Sequence, residues 1–93
     1  MTTNHTLLIP DAMVNRIKVM HPQLKRKIRA ALDEIIHNPF CGKQLKLELA
    51  DLRSYGVGRF RIIYRITPDK TIELVAAGPR KTIYEETYRL ITG

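Results

Sequence analysis

The chain has little of what would let it form disulfides, bind zinc or cross a membrane. Its 93 residues include one cysteine, Cys41, no tryptophan and no run of 18 apolar residues. A lone cysteine cannot form an internal disulfide, and His5, His21 and His37 have no paired cysteines at zinc-ligand spacing. Without an apolar span or a secretory signal pattern, the sequence predicts a reduced, cytoplasmic protein that has no membrane partner and holds no metal.

Acidic residues are scarce as well. Nine Asp or Glu stand against sixteen Lys or Arg, a formal net charge of +7 at pH 7. The excess is +4 over residues 1–50 (eight basic against four acidic) and +3 over residues 51–93 (eight against five), so it is not confined to a tail. A chain of this length is expected to fold as one domain over residues 1–93. Its basic surface favours RNA, DNA or an acidic protein as a partner.

The first half of the chain predicts a strand followed by a helical hairpin. Residues 6–9 are β-compatible, and Asp11 is a candidate N-cap for a helix over residues 12–20. In residues 22–38, apolar side chains recur at steps of four, four and three, which predicts an amphipathic helix. That helix should end before Pro39, because proline disfavours helical geometry in the preceding residue.

The second half switches to a period of two, which predicts strands. Alternating leucines over residues 45–49 and a run over residues 52–57 come first, and strands over residues 60–66 and 71–78 follow. Turns are expected between the last three of these segments. They lie at Gly58-Arg59 and at Pro68-Asp69-Lys70.

A final helix and the resulting order define the expected fold class. Thr82 followed by Glu85 fits a capping box and predicts a helix over roughly residues 83–91. The order β-α-α-β-β-β-α predicts an α+β fold: a twisted antiparallel sheet, a helical hairpin on one face and a short C-terminal helix.

Arginines are concentrated along the predicted meander. Alternation over residues 60–66 places Arg61 and Arg65 on one face of their strand. A guanidinium stays protonated and presents a planar fork of donors that suits phosphate oxygens. We therefore expect positively charged side chains to gather in one anion-receiving hollow, with nucleic acid as the default ligand.

Several strings, taken in order, resemble the RelE/ParE toxin superfamily of type II toxin–antitoxin modules. They are Gly42–Lys46, Asp51–Tyr64 and Gly78-Pro79-Arg80 with Tyr84, and the resemblance spans most of residues 6–90. It implies the microbial-ribonuclease-like RelE fold. Members of the RelE branch cut messenger RNA in the ribosomal A site, whereas members of the ParE branch poison DNA gyrase.

The resemblance also implies roles for particular residues, without a metal or other cofactor. Arg61 and Arg80 would hold the scissile phosphate, and Tyr84 would act as general base. Solvated sheet arginines are the alternative for the first two, and a packing stripe formed with Tyr88 and Ile91 is the alternative for the tyrosine. RNA backbone contacts that set the register without performing chemistry are expected from Lys43, Lys46, Arg53 and Arg59.

The resemblance implies an mRNA interferase, a ribosome-dependent endoribonuclease that inhibits translation. Its partners would be mRNA in the A site, the ribosome and an acidic RelB-like antitoxin. One position departs from the family pattern: Gly56 stands where most members carry arginine or lysine, which removes a phosphate ligand. The alternatives are therefore a ParE-like gyrase inhibitor and a catalytically impaired relative that only binds its antitoxin.

Overall fold

The computed structural model describes residues 5–93; residues 1–4, which begin the predicted domain, lie outside the described part. The elements, in chain order, are β1 (Thr6–Leu8), α1 (Asp11–Lys18), α2 (Pro22–His37), β2 (Lys43–Gln44), β3 (Arg53–Val57), β4 (Phe60–Ile66), β5 (Thr71–Pro79) and α3 (Ile83–Thr92).

The five strands form one sheet in the order β1-β5-β4-β3-β2. β1 pairs in parallel with β5 at one edge, and the other three pairings are antiparallel. A register shift opposite Ile63 and Tyr64 leaves Val75 of β5 without a partner in β4, which is a β-bulge. The predicted α+β class, the meander and the edge position of the first strand are confirmed.

The main core lies between the helical hairpin and one face of the sheet. The apolar stripe of α2 buries Ile28 and Ile35 against Ile62, Ile72 and Leu74 of the central strands. A fully buried side chain of this size contributes about 1.5–3 kcal/mol. We call this side of the sheet the helix face, because α2 packs against it.

One buried tyrosine on the helix face anchors the segment after α2. The Tyr64 hydroxyl donates to the Pro39 carbonyl at 2.7 Å and accepts from the Gly42 N–H at 3.0 Å. A Cβ on Gly42 would lie 2.5 Å from the same phenol oxygen, so that position has no room for a side chain. Burial raises the pKa of Tyr64 to about 12.

A smaller cluster covers part of the opposite face. Leu52, Ile63 and Ala76 pack there against Ile83, the first residue of α3. The helix thus lies over β5 and the 3-10 turn that precedes β3. We call this side of the sheet the site face, because it carries Arg61.

Three local predictions are wrong. Residues 45–49 do not form a strand: Leu47–Leu49 is a 3-10 turn, since Leu45 and Leu49 both pack on the second cluster while Leu47, with φ of 56°, points into solvent. The capping box is absent, because Thr82 makes no side-chain cap hydrogen bond. Asp11 is the first residue of α1 rather than its cap. The sheet also gains the short strand β2 and one parallel pair.

Candidate anion-binding site

Strand register places Arg61 between two glycines on the site face. Gly56 of β3 lies directly opposite it on one side, and Gly78 of β5 lies opposite it on the other. Directly opposed residues project from the same face of a sheet. The neighbouring pair on that face is Ser54 with Ile63. Small residues therefore flank the arginine on both strands.

The Arg61 side chain leans over β3. A Cβ built on Gly56 would lie 2.8 Å from Arg61 Nη1 and 3.3 Å from Cζ, so the guanidinium occupies the space above this glycine. The Nε atom of Arg61 is buried and has no hydrogen-bond partner within residues 5–93. Buried donors are normally satisfied, and a charged donor without an acceptor suits an oxyanion.

Arg65, on the same face of β4, is engaged elsewhere. Its Nε donates to Glu73 Oε1 at 2.7 Å, and its Nη1 lies 3.7 Å from Asp51 Oδ2. The hydrogen bond to Glu73 raises the pKa of Arg65. Two carboxylates therefore neutralise this guanidinium, which leaves Arg61 as the site-face arginine of β4 without a carboxylate partner among the described residues.

Tyr84 lies on the first turn of α3, beside β3. Its hydroxyl is 3.0 Å from Ser54 Oγ, and Ser54 is only 2% exposed whereas Tyr84 is 37% exposed. The alternative interpretation, a packing stripe, is wrong: Tyr84, Tyr88 and Ile91 are exposed, and the helix packs instead through Ile83 and the fully buried Thr87.

Ser54 was not predicted as a site residue. Two residues before Gly56 on the same strand, it shares the site face with Arg61. Alternation alone could have placed it on that face once the pairing of residues 56 and 61 was known. Its hydrogen bond to Tyr84 depends on where α3 packs, which the sequence does not indicate.

Arg59 and Arg80 are brought together at one end of the site. The Arg80 N–H donates to the Arg59 carbonyl at 2.7 Å, which ties the end of β5 to the β3–β4 turn. That turn has Gly58 at φ of 60°, the geometry favoured in two-residue hairpin loops. Both arginine side chains are exposed, and no carboxylate within residues 5–93 pairs with either.

The remaining predicted RNA contacts are divided between the two faces. Lys43 lies opposite Ser54 in the register and so shares the site face, and Lys46 is exposed just after β2. Arg53 pairs with Tyr64 on the helix face instead. It donates from Nη1 to the Gly42 carbonyl at 2.8 Å.

The Arg53 guanidinium also lies 5.0 Å from the centroid of the Phe40 ring. The predicted convergence of arginines is therefore corrected for Arg53, because alternation along β3 turns it away from Arg61.

Two further properties concern the chain outside this site. Within residues 5–93, no three His, Cys, Asp or Glu side chains come together as metal ligands. None of the helices in that range has the length and apolar character needed to cross a bilayer.

The fold and the site together define a small α+β protein: a sheet backed by helices on one face, with Arg61 and Lys43 on the other. A family profile described as "ParE-like toxin of type II bacterial toxin-antitoxin system" matches residues 8–88. The chain belongs to this family, and it is thus a toxin of the RelE/ParE class. A comparison with curated protein sequences gave no significant match.

Several solved structures with the same fold are RelE toxins, alone or with their antitoxins. The chain is similar to the RelBE2 toxin–antitoxin complex of Mycobacterium tuberculosis (TM-score 0.72, 23% identity, covering 82% of this chain and 98% of that one). It is also similar to a mutant of Escherichia coli toxin RelE in the free state (TM-score 0.75, 12% identity, covering 94% of this chain and 93% of that one). A third similar structure is the RelE–RelB complex of Pyrococcus horikoshii (TM-score 0.67, 24% identity, covering 85% of this chain and 97% of that one). These similarities confirm the predicted RelE-like fold.

Proposed function

We propose that this toxin is a ribosome-dependent mRNA endonuclease that acts in the cytoplasm. The observation that carries the proposal is the partnerless Nε of Arg61, buried on the same face as the hydroxyls of Ser54 and Tyr84. Such a guanidinium can bind a phosphate oxygen, and a phenol on the same face can exchange a proton with a ribose hydroxyl. RNA cleavage needs both functions.

In the proposed reaction, the ribose 2′-oxygen attacks the adjacent phosphorus while Tyr84, in its phenolate form, takes the 2′-proton and becomes the neutral phenol. Arg61 and Arg80 bind the phosphate oxygens and stabilise the charge that develops on them. The 5′-oxygen departs with a proton supplied by water, leaving a 2′,3′-cyclic phosphate and a 5′-hydroxyl. General base assistance contributes about 10²–10⁴-fold.

Contacts to the RNA backbone are assigned by the same reasoning. Lys43 on the site face, exposed Lys46 and Arg59 at the turn would bind neighbouring phosphates and set the position of the strand. Arg53 is already engaged by the Gly42 carbonyl, so its proposed part in RNA binding is indirect: it holds the segment that leads into Lys43.

An acidic antitoxin is the proposed inhibitor, as in the RelB complexes of the similar structures. A groove between α1 and α2 offers it a place to dock. The floor of the groove is apolar, with Ile9 and Ile17, and its rim carries Lys18, Lys25 and Arg29. An amphipathic helix with acidic flanks would complement both the floor and the rim.

The test is cleavage of a defined mRNA in a reconstituted translation system. We expect the wild-type toxin to cut within codons only when ribosomes are present. Arg61→Ala and Tyr84→Phe should each lower the cleavage rate by at least about 100-fold. Arg89→Ala, which removes an exposed arginine of the last turn of α3 and its ion pair with Glu85, is the matched control and should cleave normally. Equal cleavage by all four proteins contradicts the mechanism.

A ParE-like gyrase inhibitor is the second candidate. The description of the matched family favours it. Purified gyrase would then lose supercoiling activity in the presence of the toxin, and ribosomes would leave mRNA intact. Unchanged supercoiling by gyrase, together with cleavage of mRNA on ribosomes, rejects this candidate.

A further inference from the structure

Gly56 has a structural consequence that differs from the loss of a phosphate ligand. The space that a side chain at this position would fill is occupied by the guanidinium of Arg61, with Nη1 2.8 Å from where a Cβ would stand. Contact that close is essentially never made by a real Cβ, so any side chain at position 56 requires Arg61 to move.

The glycine on the other flank does not offer Arg61 the same space. A Cβ on Gly78 would lie 3.2 Å from Ile83 Cδ1, with Glu86 Oε2 and Arg16 Nη2 at 3.8 and 3.9 Å. Side chains of α3, together with Arg16 of α1, therefore already fill the β5 side of the site. The bare backbone at Gly56 is the surface that remains for the guanidinium to lie on.

This placement determines what the guanidinium can bind. The Nε of Arg61 is buried and has no partner among the described residues. The other arginine of β4, Arg65, is paired with two carboxylates. A charged donor taken out of water and left unpaired attracts an acceptor more strongly than a solvated one. The Nε–H of Arg61 is thus an unsatisfied charged donor on the site face, and a ligand oxygen is an acceptor that would satisfy it.

We propose that Gly56 is a positioning residue for an oxyanion site on Arg61, and that phosphate is the chemical class it takes. A lysine or arginine at position 56 would displace the existing guanidinium and would not supply a second ligand. The inference rests on the proposed function only for the source of the phosphate, the RNA backbone; the site itself is a property of the isolated protein.

The effect on folding should be separable from the effect on binding. The atom that a new Cβ would meet is the far end of a flexible side chain, so Gly56→Ala can be accommodated by rotation of Arg61. Alanine also suits a strand interior better than glycine. We expect the melting temperature of Gly56→Ala to be no more than about 4 °C below that of the wild type.

The experiment is an NMR titration that follows the Arg61 Nε–H signal. Two probes are used, inorganic phosphate and a 2′-O-methyl RNA oligonucleotide that cannot be cleaved. In the wild type, at least one probe should shift the signal to saturation. Gly56→Ala should weaken binding by about tenfold, as expected for one charge-assisted hydrogen bond, and Gly56→Lys should bind no more tightly than the wild type despite its added charge.

A double-mutant cycle isolates the coupling between the two residues. In an Arg61→Ala background, adding Gly56→Ala should change the affinity for the oligonucleotide by less than about twofold. No shift of the Nε–H signal with either probe overturns the proposal. So does tighter binding by Gly56→Lys, or an equal loss from Gly56→Ala in both backgrounds. Since neither ribosomes nor cleavage is involved, a toxin that shows the expected cycle but cuts no mRNA contradicts only the proposed function.

Discussion

Replacing Tyr64 by phenylalanine should destabilise the protein without changing its packing. This substitution removes only the hydroxyl group of Tyr64. That hydroxyl makes two buried hydrogen bonds: it donates to the Pro39 carbonyl and accepts from the Gly42 N–H. Each backbone group left unpaired costs about 1–3 kcal/mol. We therefore expect Tyr64→Phe to lower the free energy of unfolding by about 2–6 kcal/mol, a large part of the stability of a small domain.

The same phenol predicts how stability changes at high pH. Its pKa is raised from 10.0 in the unfolded chain to about 12 in the fold, so the folded protein retains the proton more tightly. The stabilisation is complete below pH 10 and is lost as the pH rises from 10 to 12. A shift of this size corresponds to about 3 kcal/mol, and the part of the loss due to this group should be absent from Tyr64→Phe.

Urea unfolding of the two proteins, followed by circular dichroism between pH 7 and 12, measures both effects. Tyr88→Phe is the matched control, because the Tyr88 side chain is exposed; it should unfold like the wild type. The reasoning is refuted if Tyr64→Phe and Tyr88→Phe have the same free energy of unfolding at pH 7. Parallel pH profiles for the wild type and Tyr64→Phe would refute the assignment of the alkaline transition.

Three further substitutions test neighbouring contacts. Gly42→Ala should destabilise by about 1–3 kcal/mol, since its Cβ would meet the Tyr64 phenol at 2.5 Å, and thermal unfolding measures this. Arg53→Ala should cost about 1–2 kcal/mol through its bond to the Gly42 carbonyl, yet leave phosphate binding by Arg61 within about twofold in the NMR titration. Ser54→Ala should lower mRNA cleavage by about tenfold or more, because the Tyr84 hydroxyl loses its partner; a cleavage rate like that of the wild type would remove Ser54 from the mechanism.

Periodicity predicted the elements whose burial is regular. The 3.6-residue pattern of α2 and the two-residue pattern of β4 each follow from one continuous buried face, so their bounds and the shared face of Arg61 and Arg65 could be predicted. The same reasoning wrongly predicted a strand from the alternating leucines of residues 45–49. Leu45 and Leu49 do pack on the sheet, but a 3-10 turn brings them there, and alternation cannot distinguish that arrangement from a strand.

Which arginines stay free could not be predicted, because this depends on the pairing between strands. Arg65 meets Glu73 only in the register that the bulge at Val75 produces. Arg53 lies on the helix face because it is three residues from Gly56, and residues an odd number apart on a strand face opposite sides. The sequence shows this spacing, but it does not show that Gly56 pairs with Arg61, so it could not place Arg53 relative to the site.

The register shows why the two small residues of β3, Ser54 and Gly56, matter for the site. Ser54 and Gly56 are small, and the side chains that reach over them come from other elements: Tyr84 from α3 and Arg61 from β4. A larger residue at either position would compete with one of these groups for the same space. The proposed chemistry of this toxin is therefore carried mainly by β4 and α3, and β3 contributes the Ser54 hydroxyl that contacts Tyr84 and the space above Gly56. That division predicts that enlarging residue 54 or 56 impairs the site more than it impairs the fold.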